Sequence, residues 1–277
     1  MNILERISKV DSRVIFALLL VVMCTSLIWP IGLPIKISEN TQRAYDWVMT
    51  NIQAGDYILL SFDYDFGNMA ENFTGQLSIM RIAMQKNAYV ITTSMWASGG
   101  LVAERAIEAL DAEFPDKHYG VDFLHLGFKP GGETYLSALM DNISLAAAHV
   151  DHQNRTLSTF PIMDGIGGLT DMALVVTGGS GSPGANQWVN MYAAPSGRPY
   201  IGVIESVSIP GHAANLQAGI MTAMIPGMRG SAEMEQLTGK PDMSTAAMDA
   251  QAMVHILVFV LIGLGNLQYY LSRKKAT

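Results

Sequence analysis

The sequence predicts an α/β fold, a mostly parallel sheet with helices on both faces, flanked by N- and C-terminal transmembrane helices. Two observations carry that expectation. Five short apolar runs of strand length alternate with stretches of helical spacing, the pattern of a parallel sheet built from crossover units. Outside them lie two long uncharged runs, in a chain of 277 residues of which 49% are hydrophobic and only 15% charged. Soluble domains carry about a quarter charged residues, so the shortfall points to apolar segments in lipid and excludes disorder.

The first uncharged run, 14–33, has about the length that crosses a hydrocarbon core of roughly 30 Å. It lacks the small-residue cleavage site of a signal peptide and is read as an uncleaved anchor. The second run, 250–271, is uncharged apart from His255 and closes on Tyr269 and Tyr270, residues that favour the membrane interface. Arg6, Lys9 and Arg13 precede the first run, and Arg273, Lys274 and Lys275 follow the second. Basic flanks stay on the cytoplasmic side. The expected layout is therefore a cytoplasmic tail (1–13), a span (14–33), an extracytoplasmic α/β domain (35–249), a span (250–271) and a second cytoplasmic tail (272–277).

Charge and cysteine content narrow the function classes. Segment 35–249 holds 11 Lys and Arg against 22 Asp and Glu, and the whole chain has a net charge of -7, which argues against a nucleic-acid surface. The single cysteine, Cys24, falls inside the first span, so no disulfide framework or thiolate metal site is available. The sequence implies no cofactor and no metal.

Within the central segment, an amphipathic helix is expected over 41–52. Strands are expected at 57–62, 89–94, 121–126, 173–177 and 200–205, each continuously apolar as strands buried on both faces should be. Helical spacing covers 69–86, 101–113, 134–148 and 187–193, with room for an insertion between 149 and 171. In a doubly wound sheet, ligands bind beyond the carboxyl ends of the strands. The residues there that qualify as a ligand site are Asp63 and Asp65, the Gly131-Gly132-Glu133 turn, and Gly178-Gly179-Ser180-Gly181.

The glycine-rich loop supports two sharper readings. Gly179, Gly181 and Gly184 match the G-x-G-x-x-G spacing of a dinucleotide site, with Glu205 at the next strand end; a tight strand-to-helix turn accounts for the same glycines. Ser180 also sits nearly as in a nucleophile elbow, with Ser182 where the last glycine belongs, and Glu205 and His212 follow in the order of a hydrolase triad. The alternative for His212 is a helix cap. His149, Asp151 and His152 carry metal-ligating chemistry, but at a helix end, where a solvated cap is the usual explanation.

From Ala213 to Leu237 the spacing predicts one long helix, or two joined at Pro226. Gly219, Ala223, Gly227 and Ser231 would then form a strip of small side chains, suited to close contact with the domain's own sheet or with another chain. The segments Leu126-Gly127-Phe128-Lys129-Pro130-Gly131-Gly132-Glu133 and Gly227-Met228-Arg229-Gly230-Ser231-Ala232-Glu233-Met234-Glu235 resemble two signatures of an uncharacterised family of prokaryotic two-span membrane proteins with a Rossmann-like domain. The resemblance covers most of 55–238. It implies the Rossmann-like fold alone, with no catalytic residue, and makes Arg229, Glu233 and Glu235 candidates for a polar contact.

Taken together, these features favour an assembly module over an enzyme. The expected partners are the lipid bilayer and further copies of the chain or a membrane complex. A serine hydrolase using Ser180 and a small-ligand sensor are the alternatives.

Overall fold

The computed structural model describes residues 11–179 and 181–274. The chain divides into two compact units, Ile35–Ser244 and the terminal segments outside it.

The central unit is an α/β domain on a six-stranded, wholly parallel sheet: β1 (Tyr57–Phe62), β2 (Tyr89–Ser94), β3 (Phe123–Phe128), β4 (Leu174–Gly178), β5 (Tyr200–Ile204) and β6 (Ala223–Pro226). The strand order is β3-β2-β1-β4-β5-β6, so the direction of winding reverses between β1 and β4. That is the doubly wound order whose ligand crevice falls at the reversal point. Alternate strand residues feed two cores, as the period of two requires. Ile58, Leu60, Val90, Val176 and Val203 pack on one face with Val48, Leu77 and Met234. Leu59, Ile91, Leu124 and Val175 pack on the other with Leu136, Leu139 and Trp188.

The helices follow the crossovers. The main ones are α2 (Glu39–Asn51), α3 (Met69–Gln85), α4 (Ala97–Glu113), α5 (Glu133–Asp141), α6 (Ile143–Ala146), α7 (Ala185–Trp188), α8 (Ile209–Gln217) and α9 (Gly227–Thr238). The single helix expected over 134–148 is divided at Asn142, whose backbone is extended and whose side chain caps α6 by accepting the Leu145 N–H. The third strand starts two residues later than expected because Asp122 closes a turn on the His118 amide.

The larger correction concerns 213–237, which is not one helix. It comprises the end of α8, strand β6 and most of α9. Pro226, read as a helix interruption, ends β6, and that strand lies at the sheet edge where proline costs no ladder hydrogen bond on its free side. The four small residues therefore share no helix face. Gly219 lies beyond α8 at φ +73° in open space, Ala223 is buried in β6, Gly227 opens α9 at φ +57°, and Ser231 is buried in α9.

Outside the domain, α10 (Met243–Lys274) contains a stretch from Met243 to Leu271 that is long and apolar enough to cross a membrane, with mean hydropathy 1.9. The N-terminal helix α1 (Ser12–Ile28) is apolar but shorter, at 17 residues. It stops well before Leu33 because Pro30 drives the preceding residue out of the helical region, and Trp29 sits at φ -126°, ψ 77°. Asp249 on α10 accepts the Gly32 and Leu33 amides at 2.7 and 3.0 Å, tying the segment after α1 to α10.

Candidate functional site

Strands β1 and β4 lie side by side at the reversal point, so the loops that follow them meet. Asp63 leaves β1 and is fully buried. Its Oδ1 accepts the Met95 N–H and its Oδ2 the Trp188 indole N–H, both at 2.8 Å. Burial pushes its carboxyl up to about 6, against the two hydrogen bonds, which favour the anion. One carboxylate thus joins the ends of β1 and β2 to α7. Asp65, two residues on, is exposed and accepts the Gly67 N–H at 2.9 Å, capping the short turn before α3. The pair does not converge on a shared ligand position; Asp63 faces inward and Asp65 is spent on its own turn.

The glycine-rich loop after β4 is folded onto itself. A Cβ at Gly179, which has φ +103°, would strike the Asp63 carbonyl oxygen, and one at Gly184 would meet the Gly181 oxygen. Three of the amides in and just after this loop are engaged: Gly179 N–H donates to Asn72 Oδ1 (3.3 Å), Gly184 N–H to Gln187 Oε1 (2.9 Å) and Ala185 N–H to the Gly179 oxygen (3.0 Å). A pyrophosphate cradle needs such groups free at the start of a helix. Here they close the turn, and α7 has only four residues. Gly178 packs against Gln76 and Tyr64, and Gly181 against the Trp96 ring, whose N–H donates to the Pro183 oxygen at 2.7 Å. Gly131 and Gly132, both at positive φ, bring the chain into α5, and Gly132 lies close to Pro183. Glu133 begins α5 and is exposed. The loops after β2, β3 and β4 therefore pack together.

Ser180 lies outside the described residues. Of its proposed partners, Glu205 accepts from Asn72 Nδ2 at 3.4 Å, and His212 is buried on α8 with its Nδ1 lacking a hydrogen-bond partner. Burial lowers the His212 imidazole below its ordinary range. No carboxylate fixes that nitrogen, which a triad requires.

The side chains of the 149–152 segment are bonded to neighbours in the fold. His149 pairs with Ser144 Oγ at 3.0 Å, whereas Asp151 accepts from the Gln153 and Arg155 amides, the Arg155 guanidinium and the Tyr119 hydroxyl. Burial alone would raise the Asp151 carboxyl, but these donors hold it below the usual carboxylate value. Among the described residues no three His, Cys, Asp or Glu side chains are grouped to hold a metal ion.

Two constellations join residues that the sequence reading singled out to partners it did not foresee. In the first, the His152 ring packs against His125 at a tilt of 46° with centroids 4.9 Å apart, next to Tyr119, over whose ring the Arg155 guanidinium lies at 4.5 Å. His125 is inside β3, and burial, then the neighbouring His152, lower its imidazole to about 4. A groove of about 210 Å³ borders this cluster, with Glu104, Glu108 and Asp111 of α4 on its wall.

The second constellation occupies α9 and explains the 227–235 signature. Gly227 meets Ser206 and Glu71, where no Cβ would fit. Glu233, fully buried, accepts Ser38 Oγ at 2.6 Å and Arg229 Nε at 2.9 Å, while Arg229 also donates to the Lys36 oxygen. Glu235, also buried, accepts the Asp242 and Ser244 amides at 2.7 and 2.9 Å. Two residues apart on one helix, these carboxylates hold the incoming and the outgoing linker of the domain. The acid-rich end of the signature was the only sequence trace of this junction.

No protein-family model, curated protein or solved structure matches the chain, so the family resemblance drawn from the two signatures gains no support from comparison.

Proposed function

We propose that the chain is a membrane-anchored, extracytoplasmic α/β module that acts in protein assembly, as a homo-oligomeric scaffold or a subunit of a membrane complex. Two spans anchor it, with both termini cytoplasmic. The observation that carries this reading is the junction on α9: Glu233 and Glu235 bond both linkers into the domain. A domain fixed at both ends suits a part that must hold a defined position among neighbours, and confinement near the bilayer raises its effective concentration for lateral contacts. The second span rests on α1, whose 17 residues cover about 26 Å at 1.5 Å per residue.

Extraction into lipid nanodiscs directly from the source membrane, followed by mass measurement, tests the proposal. The expected particle holds several copies of the chain or a stable partner. A particle with a single chain and no partner overturns it.

A small-ligand sensor is the second reading, supported by the sheet order, which gathers the β1 and β4 loops at the reversal point. Ligands that bind the native state raise stability by RT ln(1 + [L]/Kd), so a thermal shift with anionic metabolites that is lost in Gly179→Ala would favour it.

A further inference from the structure

We propose that the carboxyl edge of the sheet touches the bilayer surface, with Phe66 and Val207 entering the headgroup layer as loop-tip anchors. The inference rests on the membrane anchoring proposed above but not on assembly. Val207 is 85% exposed, more than any other exposed large hydrophobic among the described residues, those of the apolar helices included. Phe66 is 57% exposed. Both follow carboxyl ends of strands, Phe66 after β1 and Val207 after β5.

These two side chains flank the corner at which the outgoing linker is gripped. Ser244 Oγ donates to the Ala70 oxygen and lies against Thr74, both in the first turns of α3. Phe66 precedes Ala70 by a single short turn. Val207 is next to Ser206, whose N–H and hydroxyl both donate to Glu71 Oε2 at 2.6 Å. The incoming linker meets the same edge, where Arg229 in the first turn of α9 holds the Lys36 oxygen. From Ser244, α10 runs unbroken to the uncharged stretch that begins at Ala250, a rise of about 9 Å. Chain length therefore allows this corner to reach the headgroup layer, which is several ångströms deep.

Lipid fits these residues better than a protein partner. Phe66 and Val207 stand on separate loops, an arrangement that a fluid layer accepts without shape complementarity. Asp65 and Glu205 lie beside them, so zwitterionic headgroups are favoured and anionic ones are not.

The test uses the full chain in phosphatidylcholine nanodiscs with Cys24→Ser, carrying one nitroxide label at Phe66→Cys, Val207→Cys or, as a control, Val121→Cys. Val121 is exposed at the opposite, amino end of β3, and all three positions tolerate cysteine because they are at the surface. The expected result is a several-fold higher ratio of oxygen to nickel-chelate collisions at 66 and 207 than at 121, reduced when anionic lipid is added. Equal ratios at all three positions overturn the proposal. Exclusion of both reagents at 66 and 207 also overturns it, because that outcome marks a protein contact. A single-chain particle with lipid-exposed labels would remove the assembly reading and leave this one standing.

Discussion

Helix α9 and the carboxyl-edge loops invert the usual division between inside and outside. In α9 the carboxylates of Glu233 and Glu235 are fully buried, whereas on the edge the apolar Phe66 and Val207 are in the open. Burying a carboxylate costs several kcal/mol unless donors surround it, and each α9 glutamate meets its donors at a linker. Exposed apolar side chains gain nothing from water, and single ones are ordinary on a protein surface, so the position of these two at one edge carries the meaning. The contrast separates two tasks. The buried acids bond both linkers to α9, and the exposed rim carries the side chains proposed to meet lipid.

The sharpest way to break that division is Glu235→Ala. It strands two backbone amides, each hydrogen bond to a charged group contributing about 1.5–3 kcal/mol. A stability loss of roughly 3–5 kcal/mol is expected by chemical denaturation, with the outgoing linker loosened. Glu233→Gln should cost less, about 1–2 kcal/mol, because it keeps the Ser38 bond and loses only an ion pair whose arginine is 56% exposed.

Asp63→Asn comes next. An asparagine cannot accept from both Met95 and Trp188, so a loss of about 1–3 kcal/mol is expected at low pH. That gap depends on pH. The Asp63 carboxyl has its folded value raised to about 6 from 3.8, so its contribution is complete below about 4 and is lost as pH rises past 6. The gap between wild type and Asp63→Asn should therefore shrink as pH rises from 4 to 7, because wild type alone loses the Asp63 contribution. His125, lowered to about 4, acts with the opposite sign: its contribution is present above 6.5 and falls away as pH drops toward 4. In the variant only the His125 trend remains of the two, so its stability should climb more steeply with pH than wild type's.

The smallest effects belong to the surface. Gly219→Ala, at φ +73° in open space, should cost about 1 kcal/mol from left-handed backbone strain and leave assembly unchanged, because the residue lies on no shared helix face. Phe66→Ser and Val207→Ser should alter stability in detergent by less than about 0.5 kcal/mol.

Much of the fold was legible in the sequence for one physical reason. Strands buried on both faces read as continuous apolar runs, and β1 and β2 match their expected bounds. Strand β6 escaped because Ala223-Met224-Ile225-Pro226 sits among methionines and glycines spaced like a helix, and one proline can end an edge strand as readily as it breaks a helix. Length was misjudged for α1 because an uncharged run continues past Pro30 although the helix does not. At the candidate site, position was readable and partnership was not. Asp63 is recognisable at a strand end, but its partner Trp188 lies 125 residues away. Glu233 and Glu235 could be singled out as polar members of a motif, yet nothing local shows that Ser38 and Ser244 complete their shells.

Hydrogen exchange of the Asp242 and Ser244 amides, in the full chain held in nanodiscs, tests the attachment most directly. If the linkers are built into the domain, both amides exchange as slowly as those of α9 in the wild type and speed up to loop-like rates in Glu235→Ala. Loop-like exchange at Asp242 and Ser244 in the wild type would contradict the account, because Glu235 would then not hold the outgoing linker.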